Sequence, residues 1–191
     1  GFIRGGVEAC DDGNTMDDGN GCTSSCGFID GTNEIGALMW KKCAQGIVYD
    51  SMNDACTGSA GEFQYCDQGG NSCNGGADDG LLDGGGNSQA WDTCNDMVYA
   101  GYSDWRVPNK EELASVVVCD DGPLNYPNRS SCGNGNDTSP TIDTSLFPDF
   151  PSNLFWSSAS YVGNSYNAWG VYFGYGNTNG YNYESGTGSV L

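Results

Sequence analysis

The side chains that could carry chemistry here are cysteines, carboxylates and tyrosines, because histidine is absent from all 191 residues. Without histidine the chain lacks the commonest general base and every serine–histidine or cysteine–histidine dyad. Carboxylates are no better guide, since 25 acidic residues make chance carboxylate pairs certain. We therefore expect a protein that is not an enzyme.

The cysteines indicate disulfides rather than a metal site. Their number, ten, is even, and neither histidine nor a paired CxxC spacing accompanies them as in zinc sites. A free pair at Cys119 and Cys132 would imitate a redox enzyme, but the even count favours a bridge. Disulfides at this density place a mature chain outside the cytoplasm, so we expect an extracellular or cell-surface protein.

The last third of the chain holds the candidate ligand-binding residues. From Trp169 the residues alternate, with Trp169, Val171 and Phe173 on one side, which predicts a strand with that side inward. Residues 175–183 are turn formers interleaved with tyrosines, a composition typical of evolved binding loops; the alternative is a polar connector. The predicted ligand-binding residues are Tyr161, Tyr166, Gly170, Tyr172, Gly174, Tyr175, Asn179, Tyr181 and Tyr183.

A candidate metal site lies near the N-terminus, where Asp and Asn recur in a glycine-rich loop. Ca²⁺ prefers such hard oxygen ligands, although the glycine spacing is not that of an EF-hand. The alternative is a solvated turn whose side chains cap their own backbone. Ca²⁺ is thus the one candidate cofactor, with predicted ligands Asp11, Asp12, Asn14, Asp17 and Asp18; a weaker second set is Asp67, Asp78, Asp79 and Asp83.

The remaining pattern predicts an α+β domain with two helices, short antiparallel strands and long loops. Residues 27–42 predict a hairpin with a strand end and turn at residues 28–33 and a second strand at residues 35–40. One helix begins after Ser88 and carries apolar residues as far as Val98, and another begins after Asn109. Residues 43–87 are too long for a free loop and predict a disulfide-tethered insertion. The predicted domains are a small Cys-rich module, 1–29, and a main domain, 30–191.

The net charge of −19 limits the ligands that the chain can bind. Nucleic-acid binders need a basic surface, so we expect no nucleic-acid partner. The same charge opposes sulfated or uronate polysaccharides unless Lys41, Lys42, Arg106 and Lys110 cluster. No run of about 18 apolar residues occurs, so we expect no membrane span.

Several motifs follow one another in a fixed order: Gly36–Lys42, Gly101–Leu113, Pro140–Asp143, Leu146–Asp149, Phe155–Ser158 and Asn167–Phe173. Together they cover roughly residues 30–191 and resemble the C-terminal domain of collagen-like bacterial adhesins, the Lcl C-terminal domain family. That family is related to C-type-lectin-like and formylglycine-generating-enzyme-like folds. Its members are mostly secreted or surface-displayed binding proteins. The resemblance therefore implies a C-type-lectin-like domain, with Asp104 and Arg106 of the Ser103–Arg106 turn as a polar pair that fixes the fold.

Two further resemblances concern the ends of the chain. Residues 167–183 resemble the variable segment of diversity-generating retroelement proteins, with Ala168, Trp169, Val171, Phe173 and Gly176 as framework. Residues 7–26 resemble a Cys-rich repeat of myxobacterial surface proteins. Such variable segments usually continue into a short basic strand, and the repeat normally carries an earlier cysteine. The resemblances therefore imply a natural chain that is longer at both ends.

These observations predict a secreted or surface-displayed adhesion protein that recognises a glycan or protein receptor through its tyrosine-rich C-terminal part. One alternative is a structural subunit of an extracellular filament or coat that self-associates. The other alternative is a cysteine-based oxidoreductase of the formylglycine-generating fold.

Overall fold

The computed structural model describes residues 31–67, 69–77, 80–133, 137–182 and 186–191, and in these residues short antiparallel strands predominate. The helices are α1 (Gln89–Asn95) and α2 (Lys110–Ser115). The strands are β1 (Thr32–Ile35), β2 (Leu38–Lys41), β3 (Val48–Asp50), β4 (Ala55–Thr57), β5 (Phe63–Gln64), β6 (Val118–Cys119), β7 (Gly122–Pro123), β8 (Leu154–Ser160), β9 (Asn167–Tyr172), β10 (Asn177–Asn182) and β11 (Thr187–Gly188).

The longest strands form one antiparallel sheet in the order β10–β9–β8. Phe155 of β8 and Val171 of β9 are cross-strand partners, and both are fully buried on the same face. Beyond β9, Phe173 packs edge-on against Phe150 and Phe155, whose rings stack at 4.7 Å between centroids. This apolar cluster is the main core, and the predicted strand with Val171 and Phe173 inward is confirmed; Trp169 is partly exposed.

The opposite face of the same sheet is covered only in part. Trp156 of β8 is fully buried there, donates from Nε1 to the Phe63 carbonyl at 2.9 Å, and meets the Tyr65 ring edge-on at 5.7 Å. Ala168 of β9 belongs to the same buried cluster, and Tyr181 of β10 packs against it while half-exposed. This second face is therefore core near β8 and surface near β10.

Both helices begin where the sequence predicts, but the predicted α+β class is wrong. Ser88 and Asn109 are the N-caps, and each accepts a backbone N–H. The helices then end after seven and six residues, at Asp96 and Val116. Asp is a poor helix former and the β-branched residues from Val116 onward favour strands, so neither helix extends into a layer. Small antiparallel sheets dominate the described residues instead.

Two predicted strand assignments also need correction. The first hairpin turns at Gly36, where φ is 65°, so β1 and β2 pair directly across a two-residue turn. The predicted turn therefore lay too early in the chain. The predicted loop 175–183 is instead largely β10, which pairs with β9 along its whole length. Asn and Gly have low strand propensity, so this strand depends on pairing with its neighbour.

Three disulfides bridge loops in the described part of the chain: Cys43–Cys56, Cys66–Cys73 and Cys119–Cys132. The first two lie inside 43–87, and the third closes the loop that follows α2. The prediction that Cys119 and Cys132 form a bridge is confirmed. Such bridges lower the entropy of the unfolded chain, which matters where the apolar core is small.

The turn between β9 and β10 requires glycine at position 176. Its φ is 56°, and an added Cβ would lie 2.3 Å from Cys132 Sγ and 2.8 Å from Val117 Cγ1. Gly176→Ala should therefore lower the free energy of unfolding by about 3 kcal/mol, the sum of left-handed strain and overpacking. Urea unfolding of both forms would measure this loss.

The matched control is Gly163→Ala, where φ is 84° and an added Cβ meets nothing within 4 Å. It should cost only about 1 kcal/mol, because the strain is present without the overlap. Equal losses for the two variants would contradict the packing role of Gly176.

Candidate recognition surface

The three-stranded sheet divides the predicted ligand-binding residues between its two faces. Successive residues of a strand point to opposite sides, so Gly170 and Tyr172 share one face of β9. The register adds Asn179, which is opposite Gly170, and Tyr181, which is opposite Ala168. This face lies opposite the main core, and its β10 side is exposed.

We call the surface formed by Leu154, Tyr172, Tyr175, Asn179 and Tyr181 the tyrosine face. The rings of Tyr172 and Tyr175 lie 5.2 Å apart at 43°, and Tyr175 is 56% exposed. Burial, reinforced by the nearby Tyr172 phenol, raises the pKa of Tyr181 above its usual value. The Tyr181 hydroxyl therefore stays protonated at neutral pH and can donate a hydrogen bond.

A separate aromatic group occupies the other face of the sheet. The rings of Tyr161 and Trp169 lie 4.8 Å apart, and the Lys110 ammonium lies 5.0 Å from the centre of the Trp169 ring. A cation at that distance is attracted to the ring face. Tyr161 thus lies away from the tyrosine face, and a single compact ligand would not contact both groups.

The remaining predicted residues occupy different environments. Gly170 and Gly174 are buried, so side chains rather than these glycines form the surface above them. Tyr166 is 48% exposed in the connection between β8 and β9. Asn179 is exposed, and its Oδ1 accepts the Gly180 N–H at 2.8 Å. Tyr183 lies outside the described residues.

Sequence reasoning misassigned the partner of Arg106. The predicted partner was Asp104, but Arg106 donates two bonds of 2.7 Å to the Glu112 carboxylate. Glu112 also accepts the Asn109 N–H, which completes a capping box at the start of α2. The Asn109-x-x-Glu112 spacing, which is typical of a capping box, could have identified Glu112 as a residue that fixes the start of α2.

Trp105 and Arg106 line two clefts of about 300 and 250 Å³.

Cysteine chemistry has little support in the described residues. The pair that a redox enzyme would need, Cys119 and Cys132, is bonded. Cys94 is a buried free thiol, and burial raises its pKa to about 12, so the thiol is un-ionised and unreactive at neutral pH.

Metal ligands are likewise poorly supported where the structure describes the chain. Two groups combine a carboxylate with cysteines, Cys66–Asp67–Cys73 and Cys119–Cys132–Asp137, but all four cysteines are in disulfides and cannot bind an ion. Of the weaker acidic set, Asp67 accepts from Asn87 and Asp83 accepts from Gly85. The predicted Ca²⁺ ligands Asp11, Asp12, Asn14, Asp17 and Asp18, together with Asp78 and Asp79, lie outside the described residues.

The family model of the Lcl C-terminal domain matches residues 32–191, which include every described strand and helix. The chain belongs to this family. Membership indicates an extracellular, adhesin-like domain, and the three disulfides are consistent with such a location. No curated protein and no solved structure matches the chain. In the described part of this Lcl domain, neither helix has the length and apolar character needed to cross a bilayer.

The cationic side chains that the structure describes in this Lcl domain are all engaged. Lys42 pairs with Asp54 at 2.6 Å and Arg129 with Asp121 at 2.8 Å, as Arg106 does with Glu112. Lys41 is buried and donates to Gln45, and Lys110 lies over the Trp169 ring. Lys41 and Arg106 line the same cleft, but neither cation is free of a partner there.

The Arg106–Glu112 pair should make the stability of the Lcl domain depend on pH. Hydrogen bonds from Arg106 lower the pKa of Glu112 below its usual 4.5. The ionised Glu112 carboxylate therefore stabilises the fold above about pH 4.5, and this stabilisation is lost as the pH falls through the lowered pKa. Glu112→Gln should cost about 1 kcal/mol at neutral pH, and this difference should shrink below pH 4.5. Thermal unfolding at stepped pH values would measure it.

Glu111→Gln is the control, because the neighbouring Glu111 side chain is 58% exposed and lies 3.9 Å from Lys110. Its difference from the wild type should be small at every pH. A Glu112→Gln loss that is the same at pH 3 and pH 7 would rule out the ion pair as its cause.

Proposed function

We propose that this domain is a non-enzymatic adhesion module that binds a receptor on another surface through its tyrosine face. The proposal rests on a pair of adjacent rings, half-buried Tyr172 of β9 and exposed Tyr175 of the turn that follows it, on the side of the sheet that faces away from the main core. Aromatic rings held on a rigid sheet supply large contact area at low entropic cost. Tyr, Asn and Gly are also the residues expected of a recognition surface.

The chemistry of this face suits a ligand that presents flat, weakly polar groups. The rings of Tyr172 and Tyr175 would stack on such groups, as on the apolar face of a pyranose ring. The Tyr181 hydroxyl and the Asn179 amide would fix orientation by hydrogen bonds. No step of this recognition requires a proton transfer or a covalent bond.

Charge narrows the ligand further, to one without negative charge. The chain carries −19 overall, and its described cations are engaged by carboxylates, by burial or by an aromatic ring. A sulfated or uronate glycan would meet repulsion without compensating donors of positive charge. We therefore take a neutral glycan as the ligand.

The edge of the sheet argues against self-assembly by strand pairing. β10 is the edge strand, and an unpaired edge normally invites another strand. Its outward Thr178 N–H donates to the Ser130 carbonyl at 2.8 Å, and its Gly180 N–H donates to the Asn179 side chain. With these two outward donors occupied, the stretch of the edge from Thr178 to Gly180 is a poor template for pairing with another strand.

The resemblance of residues 167–183 to a variable segment is a separate matter, and diversification of these residues stays a prediction.

Binding to a printed array of neutral, sulfated and uronate oligosaccharides would test the proposed function. The labelled wild-type chain should be retained by neutral glycans, with little dependence on salt. Tyr172→Ala combined with Tyr175→Ala should weaken that binding at least about 30-fold, as expected for loss of a central aromatic anchor.

Val48→Ser and Val98→Ser are matched controls, because both valines are strongly exposed outside the tyrosine face. Both variants should bind as the wild type does, and all forms should remain folded at the temperature of the binding measurement. Retention by sulfated glycans alone, or neutral-glycan binding that survives loss of both tyrosines, would contradict the proposal. Retention by no glycan would exclude a glycan ligand.

A further inference from the structure

Two glycines near the tyrosines lie directly beneath aromatic rings. A Cβ added at Gly174 would lie 2.3 Å from Cε1 and 3.1 Å from Oη of Tyr172. A Cβ added at Gly180 would lie 2.2 Å from Cδ2 of Tyr161. Real Cβ atoms essentially never approach other atoms so closely, so either ring would have to leave its present place if the glycine below it were replaced. Each ring therefore occupies space that only glycine leaves open.

Backbone conformation does not explain glycine at these two positions. Left-handed φ values occur at thirteen described glycines, and neither Gly174 nor Gly180 is among them. A side chain at either position would therefore not meet the strain of a left-handed φ. Gly176 differs, because its φ is 56° and its nearest neighbours are core atoms. Gly170 also differs, since an added Cβ would lie 2.8 Å from the Phe155 carbonyl oxygen. Gly176 and Gly170 are therefore required by the fold itself, through a turn and through close backbone packing.

We infer that Gly174 is a positioning residue of the recognition surface, which acts through the ring of Tyr172. The ring lies over Gly174 and is thereby held beside Tyr175, in the paired arrangement that the tyrosine face presents. A ring that is already held loses less conformational freedom when a ligand binds. Gly180 provides the same support for Tyr161 on the opposite face. The expected effect on ligand binding rests on the proposed function. The position of the Tyr172 ring does not.

Gly174→Ala tests the inference, with Gly61→Ala as its matched control. Gly61 also lacks a left-handed φ, and an added Cβ there would lie 2.5 Å from the Phe63 ring. Both variants therefore displace one ring, but only the first displaces Tyr172. The nuclear Overhauser effect between the Tyr172 and Tyr175 rings should be lost in Gly174→Ala and kept in Gly61→Ala. Both variants should remain folded.

Persistence of that Overhauser effect in Gly174→Ala would overturn the inference, because the ring would then not depend on the glycine. Unfolding of Gly174→Ala would also overturn it, because the glycine would then serve the scaffold. These two readouts need no ligand, so they decide the ring's position even if the array of neutral oligosaccharides retains nothing and the proposed function fails.

Binding to the printed neutral oligosaccharides supplies the consequence for function. Gly174→Ala should weaken binding about tenfold, and should cause no further loss in a chain that already carries Tyr172→Ala, because the two changes act through one ring. If Gly174→Ala binds as the wild type does although the ring has moved, the positioning role is wrong while the proposed function stands. An additional loss in the Tyr172→Ala background would likewise contradict action through the ring.

Discussion

The packing of Phe150, Phe155, Val171 and Phe173 beneath the central sheet is the interaction on which the rest of the structure depends. It commits one face of β8 and β9 to the core. Because side chains alternate along a strand, burying Val171 forces Tyr172 to the other side, and pairing with β10 brings Tyr181 to that same side. The tyrosine face is therefore a consequence of core packing, not an independent feature of a loop.

The small core also explains why the chain relies on turns and bridges. Gly176 lies against Cys132 Sγ, so the turn that joins β9 to β10 packs directly on the Cys119–Cys132 disulfide. The capping box likewise stabilises α2, because Arg106 donates two hydrogen bonds to the Glu112 carboxylate in its first turn. Helices of six and seven residues contribute little by themselves, since short helices are marginal without tertiary contacts.

Local patterns predicted the parts of the fold that local chemistry decides. The alternation around Val171 gave the inward strand, and Ser88 and Asn109 gave the two helix starts. The α+β class failed because helix length depends on the residues that end each helix. β10 was missed because its Asn and Gly residues are ordered by pairing rather than propensity. The division of the tyrosines between two faces follows from register, which no single segment encodes.

We propose that the side of the sheet away from the main core presents the ligand-binding rings. Hydroxyl-radical footprinting with mass spectrometry, on the chain free and bound to the neutral oligosaccharides of the array, tests it most directly. We expect protection of Tyr172 and Tyr175, with unchanged reactivity at Tyr49 and Tyr99. Protection confined to Tyr102 and Trp105, which line the cleft of about 300 Å³, would contradict it.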